Sequence, residues 1–173
     1  MQYKLLFIDD DVNTQVVFRQ RYENKGFKVV IAGTGSEGIK RFMDDPDGFA
    51  AIIVDFDLSG IMDGATTSKR LNLIRAQSNL ILFTGCNIDR FLRHLALECG
   101  VLEIVPKRSD WSQLDMTIEQ ACQKFEQTVS GLENAKLIRS IEMVGTSDRL
   151  AEVARKVKLY QRHKKSVLIL GET

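Results

Sequence analysis

The chain has 173 residues, 44% of them hydrophobic, with 24 basic and 23 acidic side chains and a formal net charge of +1. That length suits one domain of ordinary size with an additional piece, and the apolar share is enough to fill a core. The near-neutral balance excludes a nucleic-acid polycation and an acidic tail protein, no apolar stretch approaches the ~20 residues of a membrane span, and the short apolar run before Asp9 is no secretory leader.

In chain order, Leu5-Leu6-Phe7-Ile8 reads as a strand that stops at three acids, Asp9-Asp10-Asp11. A helix follows from about Thr14 to Lys25, closed by Gly26, and the β-branched run from Phe27 to Ala32 reads as a second strand. Ser36 is placed to cap a short helix with Ile39, Phe42 and Met43 on one face. After a turn at Pro46 to Gly48, Ala51-Ile52-Ile53-Val54 is apolar on both faces, as a central parallel strand is. A loop with Gly60 and Gly64 leads to a helix ending near Ala76, and Leu80 to Phe83 forms a fourth strand. The next helix is expected to bury Ile88, Phe91, Leu92, Leu95 and Cys99 on one stripe before Gly100. Val101 to Val105 is a fifth strand, and Asp110 is placed to start a long last helix with Trp111 as its anchor.

Five strands alternating with helices predict an α/β three-layer sandwich with a five-stranded parallel sheet, expected to span residues 1–127. Past that point the apolar positions Leu114, Ile118, Ala121, Phe125, Thr128, Leu132 and Ala135 keep repeating in steps of four and three. Residues 128–140 therefore read as a helical linker, with a helical homodimer seam as one expectation and packing on the chain's own sheet as the other. Residues 141–173 read as a separate piece, in which Ser147 caps a helix carrying Leu150, Val153, Ala154, Val157 and Tyr160, and Val167-Leu168-Ile169-Leu170 is a strand.

Open parallel sheets bind ligands beyond the carboxyl ends of their strands. The residues at those ends are Asp9 and Asp10, Gly33 to Gly35, Asp55 and Asp57, Thr84, and Pro106 and Lys107. Carboxylates converging there repel one another, and a hard divalent cation such as Mg²⁺ resolves the conflict while leaving room for phosphate oxygens. Asp10 and Asp55 are the natural ligands, with Asp9 in support. Lys107 and Thr84 are placed to hold phosphoryl oxygens, and an aspartate beside a metal can attack phosphorus itself.

These residues, in this order, resemble the receiver domains of two-component response regulators over roughly residues 1–127. The resemblance implies a flavodoxin-like fold, Asp55 as the phosphoacceptor, Asp9 and Asp10 as the acid pair at Mg²⁺, the backbone carbonyl of Asp57 as a further metal ligand, and Thr84 and Lys107 as the residues on the phosphoryl group. It implies a sensor histidine kinase as partner and a phosphorelay role, and the scattered, odd-numbered cysteines make a reducing cytoplasm the expected location. Three departures stand out. Ser59 occupies the position where the family usually has proline; Arg108, rather than a cis-proline, follows Lys107; and Ile104 takes the place of an aromatic switch residue. The loop to Asp63-Gly64 is also one residue longer than usual.

Val144-Gly145-Thr146-Ser147 and Val167 to Thr173 resemble the opening of the AAA+ ATPase domain of NtrC-type transcriptional activators, with Gly171 as the first glycine of the nucleotide loop. The loop lysine is not in this chain, so no ATP hydrolysis is expected of it. DNA and RNA polymerase are expected partners only through further parts of such an activator.

Two other readings compete. Gly33-Thr34-Gly35-Ser36-Glu37-Gly38 matches G-x-G-x-x-G with Asp55 downstream, as a dinucleotide-binding module has. A pseudo-receiver serving only as a dimerisation module is the second. The basic run from Arg155 to Lys165 reads as a solvated helix face, with no aromatic interleaving to favour nucleic acid. Cys86, Cys99 and Cys122 form no Cys-x-x-Cys pair and predict neither a disulfide framework nor a zinc site, with Cys86 expected to be a small packed residue.

Overall fold

The computed structural model describes residues 2–76, 78–107, 110–139 and 147–161. The elements are β1 (Lys4–Ile8), α1 (Val12–Asn24), β2 (Lys28–Ala32), α2 (Gly35–Met43), β3 (Phe49–Asp55), α3 (Gly64–Ile74), β4 (Leu80–Thr84), α4 (Arg90–Glu98), β5 (Glu103–Pro106), α5 (Ser112–Arg139) and α6 (Asp148–Gln161). All five strands pair in parallel in the order β2-β1-β3-β4-β5. This is the expected flavodoxin-like arrangement, whose order reverses between β1 and β3.

Successive side chains of a strand point to opposite faces, and β1 shows how that divides the core. Phe7 stacks on Phe18 of α1 at 3.9 Å between centroids and meets Phe83 of β4 edge-on at 6.4 Å. Leu6 and Ile8 point the other way, into a cluster with Phe42 of α2, Leu71 of α3 and Ala96 of α4. Helices therefore cover both faces, and β3 is buried along its whole length, as a central strand must be.

On the α1 side a polar clamp closes the layer. Asp115 of α5 accepts hydrogen bonds from Arg21 Nη2 (2.6 Å) and Tyr22 Oη (2.9 Å), and pairs with Lys25 at 2.7 Å. Burial pushes the Asp115 carboxyl up, but the bonds from Arg21, Lys25 and Tyr22 outweigh it and hold it down to about 2. The Tyr22 hydroxyl is driven in the opposite direction, mainly by its burial and then by the Asp115 charge.

The structure corrects some local expectations. Thr34 rather than Ser36 caps α2, its Oγ1 accepting from Glu37 N at 3.2 Å. Helix α1 starts at Val12, earlier than Thr14, because Asp11 caps it by accepting from Asn13 N and Thr14 N. Phe91 lies on the solvent side of α4, 71% exposed, because the buried stripe runs through Leu92, Ala96 and Cys99 instead. Helix α5 begins at Ser112 rather than Asp110, after Trp111, whose φ of 49° breaks the helical path. Trp111 does anchor the helix, packing on Phe18 and edge-on against Phe83 at 5.3 Å. Burial along α5 reaches Leu114, Ile118, Ala121 and Phe125, whereas Thr128 and Leu132 are exposed.

The chain divides into two compact units, Met1–Gln123 and Lys124–Thr173. In the second, Ala151 and Ala154 of α6 form a small buried cluster with Leu137 and Leu150 against it. Ser147 caps α6 as expected, accepting from Leu150 N at 3.2 Å. The expected strand at Val167 to Leu170, the nucleotide-loop start at Gly171 and the segment around Gly145 lie outside the described residues, as does Arg108. Among the described residues no helix is long and apolar enough to cross a membrane.

Candidate functional site

Each expected site residue stands at the carboxyl end of a strand, and the parallel register brings most of them together beside the reversal between β1 and β3. Asp9 follows β1 directly and is fully buried. Its Oδ1 accepts from Asp11 N at 2.9 Å, its Oδ2 accepts from Lys107 Nζ at 2.9 Å, and its backbone carbonyl accepts from Gln15 Nε2 at 2.6 Å. Asp55 is the last residue of β3 and is 4% exposed. Its Oδ1 accepts from Asp57 N at 3.2 Å, and its Oδ2 pairs with Lys107 Nζ at 2.9 Å.

Lys107 reaches both acids from the far side of β4. Its own N–H donates to the Thr84 carbonyl at 2.6 Å, which fixes the end of β5, and its ammonium passes 5.6 Å from the centroid of the Phe83 ring. Asp10 stands more open to solvent, and its Oδ2 accepts a hydrogen bond from Ser59 Oγ. Asp11, the third acid of the run, is spent on capping α1.

The electrostatics follow from burial and pairing. Burial raises the Asp55 carboxyl above the ordinary carboxylate range, even though Lys107 pulls it down. Burial alone would lower the Lys107 ammonium, but the Asp9 and Asp55 carboxylates outweigh it and raise it, so the lysine stays charged. The hydroxyl of Ser59 holds the Asp10 carboxyl below its usual range. Asp9, Asp10 and Asp55 each offer an oxygen within 4.8 Å of the others. One lysine cannot balance three carboxylates, two of them buried. An all-oxygen donor set with that charge deficit fits a small hard divalent cation.

Thr84, the last residue of β4, is buried, but its hydroxyl is turned to Asp57: Oγ1 donates to Asp57 Oδ2 at 3.3 Å and accepts from Cys86 N at 3.0 Å. Cys86 is exposed rather than packed, standing on the loop past the end of β4, and its thiol donates to Asp57 Oδ1 at 3.2 Å; that bond raises the thiol pKa. Asp57 thus enters through its side chain as well as its backbone, a role sequence reasoning did not assign. Ser59 was visible only as an unusual residue, and no spacing pattern pointed to its bond with Asp10. Gly64, the first residue of α3, lies so close to the backbone of Asp55 that a Cβ there would come within 2.1 Å of the Asp55 carbonyl oxygen. Ile104 is half-buried and lines a shallow cleft between α4 and β5 with Ala96, Leu97 and Val101.

The G-x-G-x-x-G segment is used for packing and capping. A Cβ on Gly35 would meet Thr67 Oγ1 at 2.1 Å, and one on Gly38 would meet Ile8 Cδ1 at 2.2 Å. The amide of Gly33 donates to Glu37 Oε2 at 3.0 Å, and Thr34 takes the Glu37 amide, so groups a pyrophosphate needs are already paired. Asp55, the ribose acid of that reading, is paired with Lys107.

Comparison with known proteins gives a consistent picture. The family model described as the response regulator receiver domain matches residues 5–119. The transcriptional regulatory protein ZraR of Salmonella typhimurium (strain LT2) is 22% identical over 170 residues, 98% of this chain and 37% of the relative. The chain thus spans little more than a third of that relative's length. Among solved structures, a CheY-like response regulator receiver domain protein from Methanospirillum hungatei JF-1 superposes with a TM-score of 0.67 at 22% identity, covering 74% of this chain and 99% of that one. The response regulator TrrA from Thermotoga maritima, solved in complex with Mg²⁺-BeF, does so with a TM-score of 0.63 at 18% identity, covering 69% and 99%. At these identities the structures establish a shared fold.

Proposed function

Because the chain belongs to the response regulator receiver domain family over residues 5–119, we propose that it is the phosphoacceptor of a two-component phosphorelay and that Asp55 takes the phosphoryl group. The observation that carries this reading is Lys107, whose Nζ stands 2.9 Å from the carboxylates of both Asp9 and Asp55 at the ends of β1 and β3. A cation fixed there favours the ionised form of a buried aspartate against the cost of burial and can shift to an oxygen of a group bound to it. The phosphohistidine of a sensor histidine kinase is the donor. An Asp55 oxygen attacks phosphorus, an O–P bond forms, the P–N bond of the donor breaks, and the imidazole leaves with the electron pair.

The residues suited to hold Mg²⁺ are Asp9, Asp10 and Asp55, with the backbone carbonyl of Asp57; when bound, the ion supplies neutralising charge at the phosphoryl oxygens. Lys107 orients Asp55 Oδ2, the Asp57 amide orients Oδ1, and Thr84 is the hydroxyl donor to the phosphoryl group. The likeness to ZraR runs past the receiver segment and supports placing this chain at the start of a cytoplasmic NtrC-type activator, with residues 1–127 as receiver, 128–140 as helical linker and 141–173 as the opening of the AAA+ domain. The exposed side of α5 beyond Phe125, with Leu132 half-exposed, supports a homodimer formed through that helix.

Titration with beryllofluoride and Mg²⁺, read by calorimetry, tests the assignment. Wild type is expected to bind the mimic and Asp55→Asn to show no binding. Equal binding by the two would remove Asp55 as acceptor.

A further inference from the structure

A threonine hydroxyl has one proton to give, and in this structure Thr84 gives it to Asp57 Oδ2 across 3.3 Å. The other Asp57 oxygen, Oδ1, accepts from the Cys86 thiol at 3.2 Å, and the Cys86 amide donates to Thr84 Oγ1 at 3.0 Å. Asp57, Thr84 and Cys86 therefore close a ring over the end of β4. The same Asp57 donates its amide to Asp55 Oδ1 at 3.2 Å, so the ring is tied directly to the reactive carboxylate.

A phosphoryl group on Asp55 calls for the same Thr84 proton and brings negative charge beside the Asp57 carboxylate. Both cannot be satisfied together. A charged acceptor makes the stronger hydrogen bond, so the resting ring is not displaced without cost. We infer that the Asp57 carboxylate is a latch on Thr84 that competes with the incoming phosphoryl group and sets the threshold at which this receiver is occupied. Asp57 is in this account a positioning residue that acts through Thr84, and the inference rests on the reading of Asp55 as acceptor.

Asp57→Asn keeps the shape and the amide of residue 57 while replacing the charged acceptor with a neutral one. Beryllofluoride affinity at saturating Mg²⁺, measured by calorimetry, is expected to rise about tenfold in Asp57→Asn. Simple relief of repulsion would raise affinity whether or not Thr84 can donate, so the decisive arm is a double-mutant cycle with Thr84→Val. In that background the same change at Asp57 is expected to raise affinity less than about threefold. Cys86→Ala, on an exposed segment, frees one side of the latch without touching the buried strand and is expected to shift affinity in the same direction by a smaller factor. No tightening in Asp57→Asn, or an equal gain in the Thr84→Val background, overturns the latch while leaving Asp55 as acceptor. Failure of wild type and Asp55→Asn alike to bind the mimic would instead remove the acceptor reading, and the latch with it.

Discussion

At the scale of single residues, the chemistry gathers on one lysine between two buried acids. Lys107 is 24% exposed in its side chain while Asp9 is fully buried, so removing the ammonium strands carboxylates in a poorly solvated site. Lys107→Met is therefore expected to destabilise the fold by about 3 kcal/mol, whereas Asp55→Asn, which removes one of the unbalanced buried charges but keeps the shape, is expected to leave stability equal to or above that of wild type. Urea unfolding of the two variants checks the order, and a Lys107→Met variant as stable as wild type would contradict it. Asp115 gives a second test with a defined pH window. Its folded pKa, about 2, lies below the ordinary 3.8, so its contribution is fully present above about pH 4 and is lost as pH falls toward 2. Discounted for partial solvent exposure, the effect amounts to roughly 1–2 kcal/mol. Asp115→Asn should therefore lower stability at pH 7 and converge on wild type near pH 2. A constant difference across that range would show that the clamp acts by packing alone.

At the scale of elements, tight contacts rather than propensities place the site. Helix α3 begins against the backbone of Asp55, where a Cβ on Gly64 would meet the Asp55 carbonyl oxygen at 2.1 Å and Phe56 Cα at 2.6 Å. Backbone cannot swing away as a side chain can. Gly64→Ala is expected to cost about 1–3 kcal/mol and to weaken binding of the phosphoryl mimic. Gly38→Ala meets the Ile8 side chain (Cδ1 at 2.2 Å, Cγ1 at 2.8 Å) rather than backbone and should cost less. Thermal unfolding of the pair decides this, and equal losses would contradict the distinction. The same contacts explain what the sequence made legible. The strands, their parallel order and the acid, hydroxyl and lysine positions follow from alternating apolar runs and strand-end chemistry. The Asp57–Thr84–Cys86 ring and the Ser59–Asp10 bond do not, because each depends on how loops after β3 and β4 fold toward one another. Phe91 stands one position off the buried stripe of Leu92, Ala96 and Cys99, and an apolar residue at either position suits a helical period read from sequence.

At the scale of the whole molecule, a phosphoacceptor face and a long helix lie on one chain. Burial along helix α5 ends at Phe125, and its apolar repeat continues to the exposed Leu132. If that stretch joins two copies, Leu132→Glu should shift sedimentation toward the monomer while leaving beryllofluoride binding intact; unchanged association would exclude this helix as the seam. The central claim is the covalent one, and intact mass tests it most directly. Incubation of the full chain with a small-molecule phosphodonor and Mg²⁺ is expected to add about 80 Da, one phosphoryl group, to wild type and nothing to Asp55→Asn. Absence of that species from wild type at every donor concentration, or its persistence in Asp55→Asn, would contradict Asp55 as the acceptor.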